Sequence, residues 1–267
     1  MPRPDDNGPA EPLLASVLVT GGGTGIGAAL ARELAARGCD VLVTGRRQGP
    51  LAEVAASSAR ITTLVGDVTD ASHRTELATA LACLRAPRAV FHGAGYFQAG
   101  LLDSLSADDW RRSFDINVQA RWELSLACAS ALDGGRILFI GSDAGAAPRA
   151  GAAAYSIAQA ASETLRRSLQ AEWADSGIAV GAFKPGLVDT DMVRGFMRLA
   201  HRDFPARSAY DEYLVKGLIA SARDVARFAA WLLLDVAAAR FTSTDWDVRD
   251  VGHHGEWTDG PLYPDAR

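Results

Sequence analysis

Residues 15–37, ASVLVTGGGTGIGAALARELAAR, limit what this chain can fold into more than any other stretch. Ser16 to Thr20 make an apolar run, rich in β-branched residues, with the length of a buried strand; Gly21, Gly22, Gly23, Gly25 and Gly27 then crowd into one turn. Beyond it Ile26, Leu30 and Leu34 recur at helical spacing, so strand, turn and helix follow one another without a linker. Glycine here lets an anion approach bare backbone N–H groups and lets the helix pack on its strand with no intervening Cβ. The helix start, including Thr24, then offers free amides and the positive end of its dipole to that anion. Glycine-rich turns have other uses. The strand before this one and the helix after it mark it as a phosphate cradle.

The alternation continues down the chain. Strands are expected at Asp40–Thr44, Arg60–Val65, Arg88–Phe91, Arg136–Ile140, Ile178–Phe183 and Arg240–Trp246. Between them fall helical patterns at Asp70–Leu84 (capped by Thr69 or Asp70), Leu105–Leu132, Ala152–Trp173 and Arg223–Leu234. In the second of these helices Trp110, Phe114, Trp122 and Leu126 recur near helical spacing. Such alternation predicts an α/β fold, a single-domain Rossmann-type doubly wound parallel sheet flanked by helices, with the ligand crevice at the strand carboxyl ends. Residues 15–250 make up the domain. Residues 1–14, rich in Pro, Asp, Asn and Gly, read as a disordered tail, and residues 251–267, Gly- and Asp-rich, as a C-terminal tail.

With 267 residues, 48% of them hydrophobic, the chain can fill one large core. A net charge of −5 provides no basic field for nucleic acid or an anionic membrane, so a small-molecule substrate is expected. No apolar run of about 18 residues and no signal-like N-terminal segment occurs, which points to the cytoplasm. The three cysteines, Cys39, Cys83 and Cys128, are too scattered for a disulfide framework and read as buried free thiols. His92, His253 and His254 lack further ligands at metal spacing, so no metal is expected.

Site candidates sit at the predicted strand ends. The second strand runs into Gly45-Arg46-Arg47, eighteen to twenty residues beyond Gly27, where an acid would hold the ribose 2′-hydroxyl of NAD and an arginine the 2′-phosphate of NADP. Gly45 is no acid, so Arg46 and Arg47 favour NADP(H), against the alternative that both merely solvate a loop. The third strand ends in Asp67-Val68 and the fourth in His92-Gly93-Ala94-Gly95, whose glycines admit a close ligand; His92 reads as a packed strand-end histidine. Asn117 lies in an apolar helical face, the place of a kink with a satisfied amide. Ser142 ends the fifth strand thirteen residues before Tyr155.

Taken together, Thr20-Gly21-x-x-x-Gly25-Ile26-Gly27, Asp67, Asn117, Ser142, Tyr155 and Pro185-Gly186-x-x-x-Thr190 resemble the short-chain dehydrogenase/reductase family, over essentially residues 15–250. The resemblance implies that Tyr155 protonates a carbonyl oxygen as hydride arrives while Ser142 donates a hydrogen bond to it. It further implies that Asp67 contacts adenine with help from the Val68 backbone, that Asn117 holds a water in the proton relay, and that the turn with Pro185, Gly186, Val188 and Thr190 seats the nicotinamide carboxamide. Residues 187–220, with Phe196, Met197, Phe204, Tyr210 and Tyr213, fall where the family carries its substrate lid. That lid points to a hydrophobic substrate, unless the same residues are ordinary core or interface. Family members pair through the helices that correspond to 105–132 and 152–173, so a homodimer or homotetramer is expected.

One position departs from the pattern. Where the family has Tyr-x-x-x-Lys, this chain has Tyr155-Ser-Ile-Ala-Gln159. Residues i and i+4 share a helix face, and the family lysine both bridges the nicotinamide ribose and lowers the tyrosine pKa, an effect of about 1–3 units for an adjacent cation. Gln159 keeps the hydrogen bonding to ribose and loses the charge. Of the two lysines, Lys184 ends a neighbouring strand and is the sequence's candidate replacement. Three functions remain compatible with these residues: an NADPH-dependent reductase of a carbonyl, enone or imine; a non-redox isomerase, dehydratase or cyclase that uses Tyr155; and an NADP-binding protein without turnover.

Overall fold

Continuous apolar runs form the strands, as expected of a sheet covered on both faces. The computed structural model describes residues 14–263. In chain order the elements are β1 (Ser16–Thr20), α1 (Gly25–Ala36), β2 (Asp40–Gly45), α2 (Gln48–Ala55), β3 (Ile61–Val65), α3 (Ala71–Ala82), β4 (Arg88–His92), α4 (Ala107–Phe114), α5 (Ala120–Cys128) and β5 (Arg136–Ile140). There follow α6 (Ala153–Glu172), β6 (Ala179–Lys184), α7 (Asp191–Met197), α8 (Arg207–Val215), α9 (Ala222–Leu234), α10 (Ala238–Ser243), β7 (Trp246–Asp247) and α11 (His254–Trp257). The sheet is parallel throughout, in the order β3-β2-β1-β4-β5-β6-β7. Strand order reverses between β1 and β4, which opens a crevice at their carboxyl ends.

The two-residue period of the strands divides the core. Val17, Val19, Val41, Val43 and Phe91 face the layer of α1, α2 and α9, where they meet Leu30, Leu34, Leu51, Val54 and Phe228. Leu18, Leu42, Val90, Ile137 and Phe139 face the opposite layer and pack on Leu77 and Leu81 of α3, Leu124 of α5 and Leu169 of α6. All are buried. At about 1.5–3 kcal/mol per buried large aliphatic side chain, these two layers hold the strand ends that build the crevice.

Several elements differ from the sequence expectation. The helical stretch expected over 105–132 starts at Ala107, where the Ser106 hydroxyl accepts from Asp109 N (3.0 Å), and is broken by a π-helical turn over Asp115–Gln119. The strand expected at Arg240–Trp246 is mostly α10, because Phe241 must turn its ring onto Gly181 of β6, where a Cβ would come within 2.7 Å of it. Only Trp246–Asp247 pairs with β6, and the Trp246 indole N–H donates back to Phe241 O (3.0 Å).

The C-terminal segment is no tail over its described length. His253, Trp257 and Leu262 are buried, and His253 and Trp257 close an aromatic cluster with Phe228, Trp231 and Trp246. At the other end Leu14 is already buried in the core, while residues 1–13, the rest of the expected N-terminal tail, lie outside the described residues. Of the cysteines, Cys39 and Cys128 are buried free thiols; Cys83, at the C-cap of α3, is exposed. No described helix is long and apolar enough to cross a membrane.

Candidate active site

The cradle depends on glycine at Gly21, Gly22 and Gly27, where the neighbours leave no room for a side chain. Gly21 adopts φ +66°, and a Cβ there would lie 2.8 Å from Gly93 O; one at Gly27 would lie 2.4 Å from Gly21 O. Thr20 fixes the facing loop: its hydroxyl donates to Phe91 O (3.2 Å) and accepts from Gly93 N (3.0 Å) and Ala94 N (3.1 Å). At the start of α1 the Thr24 side chain makes no capping bond, and the first turn carries no acid. Its free amides suit a bound phosphate.

One cleft of about 410 Å³ runs from this cradle along the strand ends. It collects Gly21, Gly23, Thr24, Gly25, Ile26 and Gly27 from the cradle, and Arg46, Arg47, Asp67 and Val68 from the ends of β2 and β3. Gly93, Ala94 and Gly95 follow β4, and Pro185, Gly186, Val188 and Thr190 follow β6. Ser142, Tyr155 and Gln159 line the same cleft. Arg46 and Asp67 stand 3.9 Å apart at its mouth, and the Asp67 carboxylate accepts from Thr69 N (3.0 Å) and Thr69 Oγ1 (2.9 Å).

Asn117 is the exception. Fully buried in the π-helical turn, it spends its amide on the Tyr96 backbone, accepting from Tyr96 N (3.0 Å) and donating to Tyr96 O (2.8 Å). This is the kink with a satisfied amide, and it fixes the Gly95–Tyr96 stretch of the cleft wall.

His92 is packed as the sequence predicts, with its Nε2 2.9 Å from Ser125 Oγ. Because the Ser125 proton goes to Arg121 O (2.7 Å), the imidazole nitrogen is the donor. Burial and the nearby Arg121 charge hold His92 neutral, its pKa well below the usual histidine value. Among the described residues no cluster of histidine, cysteine and carboxylate side chains is arranged to hold a metal.

At the inner end Ser142 and Tyr155 meet. Burial pushes the Tyr155 phenol above its ordinary pKa, while a hydrogen bond from the Ser142 hydroxyl and the charge of Arg121 pull it back, and the acid form prevails at neutral pH. The Phe97 ring stands edge-on to Tyr155 at 5.3 Å. Phe97 belongs to an aromatic group with Phe196, Phe204 and Tyr210, built from the loop after β4, from α7 and α8, and from the loop between these two.

The profile of the short chain dehydrogenase family matches residues 15–198. The chain belongs to the short-chain dehydrogenase/reductase family. It is 34% identical over 189 residues to galactitol 2-dehydrogenase of Rhizobium johnstonii, covering 66% of this chain and 72% of that protein. To the 3-oxoacyl-[acyl-carrier-protein] reductase of Pseudomonas aeruginosa it is 31% identical, over 83% of this chain and 90% of that one. A crystal structure described as an NAD(P)-dependent gluconate 5-dehydrogenase from Beutenbergia cavernae, with bound NADP, superposes with a TM-score of 0.76 at 28% identity, over 90% of this chain and 97% of that one. The chain is accordingly an NAD(P)-dependent oxidoreductase of the short-chain dehydrogenase type.

A nicotinamide cofactor fits the residues present. The glycine cradle has the space and the free amides for a pyrophosphate, and the Gln159 Oε1, buried without a partner among the described residues, is an acceptor waiting for a hydroxyl. Two cations lie near the position at which the family pattern has its lysine and this short-chain dehydrogenase has Gln159. Lys184 is absent from the lining of the main cleft and lines a smaller one, which shares Ser142 and Gln159 with the main cleft and also carries Ser162, Glu163 and Arg166. Arg121 lines the main cleft together with Tyr155 and Gln159. Sequence reasoning passed over it, although it stands four residues after Asn117, on the same apolar helical face, and that placement is unusual for an arginine.

Proposed function

We propose that this enzyme is an NADPH-dependent reductase of a carbonyl, or of an enone or imine, in a hydrophobic small molecule. The observation that carries the reading is the convergence, at the inner end of one cleft, of a protonated Tyr155, the Ser142 hydroxyl and an aromatic wall. Bound cofactor would supply hydride to the substrate carbon. Tyr155 then delivers its phenolic proton to the oxygen as the C=O π bond opens, and Ser142 steadies the developing oxyanion by donating a hydrogen bond. Gln159 would hold the ribose hydroxyls, and Arg46 the 2′-phosphate. Phe97, Phe196 and Tyr210, backed by the buried Phe204, exclude water and set the preference for an apolar substrate.

The test is stoichiometric consumption of NADPH with a panel of aromatic and alicyclic ketones, compared with Tyr155→Phe. Proton delivery by a positioned group contributes about 10²–10⁴-fold, so the variant should lose at least two orders of magnitude in kcat with NADPH affinity kept. An unaffected kcat in Tyr155→Phe removes the proton-donor role. Product formed without NADPH consumption would instead make the protein a non-redox enzyme.

A further inference from the structure

We infer that Arg121 takes over the electrostatic role of the lysine this chain lacks, acting on Tyr155 from α5, where the family pattern places its cation one turn further along α6. The consequence for catalysis rests on the reductase reading above. The geometry stands on its own.

The Arg121 side chain is buried, 3% exposed, and its guanidinium sits where three elements meet. Nη1 donates to Ile140 O at the end of β5 (3.0 Å) and to Ser162 Oγ on α6 (3.0 Å), and Nη2 reaches Ala94 O after β4 (3.4 Å). Tyr155, Gln159 and Ser162 follow one another at i, i+4 and i+7, so the guanidinium held by Ser162 stands against the α6 face that carries Tyr155.

All three acceptors are neutral. The neighbouring carboxylates are taken: Glu123, also on α5, pairs with Arg74, Glu163 with Arg166 and Arg167, and Asp143 with Arg249. The other titratable groups around the two residues are His92, which is neutral, Arg149 with Tyr210 on the lid side, and Lys184, which lines the smaller cleft with Ser142, Gln159 and Ser162. Burying a cation without a counter-charge is costly, and here it leaves a positive charge facing one phenol. Burial brings the Arg121 pKa down only to about 10, so the charge persists at neutral pH. A lysine at 159 would then set two buried cations on one face. The neutral Gln159, with its unpartnered Oε1, belongs with the arginine.

The test needs neither cofactor nor substrate. With Tyr155 replaced by a ring-difluorinated tyrosine, position 155 titrates closer to neutral pH, where Arg121 stays charged, and its phenolate is read by ultraviolet absorbance. Arg121→Gln should raise that midpoint by about one unit or more, and Arg121→Lys should hold it near the parent value. An unchanged midpoint in folded Arg121→Gln overturns the inference. If Arg121→Gln does not fold, the double variant Arg121→Gln/Gln159→Lys, which keeps one cation, decides. A midpoint at or above the parent supports the inference, and a fall of about one unit or more overturns it. Failure of the reductase reading would appear separately, as absence of NADPH consumption by the unmodified enzyme.

Discussion

Arg46 is half-exposed at the end of β2, and Gly45 before it presents no carboxylate to a ribose. A charge-assisted hydrogen bond to a 2′-phosphate contributes about 1.5–3 kcal/mol, and exposure sets this one at the lower end. Arg46→Ala should therefore weaken NADPH about tenfold and leave NADH nearly unchanged, as measured by calorimetric titration of both. Equal affinity of the unmodified enzyme for the two cofactors would remove the preference. A second outcome at this scale follows from His92, whose folded pKa lies well below the ordinary value of about 6.5. The unfolded chain takes up this proton first, so the contribution of neutral His92 is present above about pH 6.5 and is lost as pH falls below it. The slope is about 1.4 kcal/mol per pH unit for one group. His92→Asn should flatten that acid limb in urea unfolding, and an unaltered limb would show that His92 does not set it. Residues of this kind were legible because their chemistry is local: a glycine cradle, an arginine after a strand, a histidine in an apolar run. Arg121 was not, because its meaning depends on Ser162, Ile140 and Ala94, which only the fold brings to it.

Elements carry the next level of constraint. Gly27 of α1 approaches the Gly21 carbonyl so closely that a Cβ would stand at 2.4 Å, far inside contact distance. Gly27→Ala must push the helix off its strand, at about 1–3 kcal/mol for overpacking, and open the cradle. The expected result is a lower melting temperature and at least a tenfold loss of NADPH affinity; a variant that binds as tightly as the parent would show that the helix start does not grip the pyrophosphate. Phe204, fully buried among Phe97, Phe196 and Tyr210, anchors the loop between α7 and α8. Phe204→Ala removes about 3–5 kcal/mol of packing and should raise KM for apolar ketones more than it lowers kcat, as steady-state kinetics across the ketone panel would read. Strands such as VLV and ILF announced themselves by continuous apolarity, and the break at Asp115–Gln119 by Asn117, a polar residue in an apolar helical face; its π-helical form did not show, because the residues on either side fit one helical pattern. The FTSTDW stretch looked like a strand from β-branched and aromatic content, and long-range packing of Phe241 on Gly181 overrode that preference. The C-terminal segment looked like a tail because glycine and aspartate mask Trp257 and Leu262, whose partners lie on distant elements.

At the scale of the whole molecule, a parallel sheet explains why so much of the cleft could be read in advance: every strand delivers its carboxyl end to the same edge, so residues far apart in sequence converge without further information. What the topology leaves unpartnered is also informative. Trp110 on α4, Trp122 and Leu126 on α5, and Ile157 on α6 are 37–46% exposed, an apolar set on the same helices that the sequence singled out for pairing. Exposed tryptophans in such number fit a surface covered by a second copy. Light scattering at micromolar concentration is expected to give two or four times the chain mass of 28.2 kDa. A tryptophan at the centre of an interface contributes about 2 kcal/mol or more, so Trp122→Glu should raise the dissociation constant at least thirtyfold. A parent enzyme of 28.2 kDa that stays unchanged on concentration would rule out the assembly. The two scales then connect, because α5 carries Arg121 and α6 carries Tyr155. Covering the outer faces of these helices would fix the inner faces that carry the cation and the phenol, so dissociation by Trp122→Glu should lower kcat as well as mass. Full activity in a demonstrated monomer would show that the site is complete within one chain.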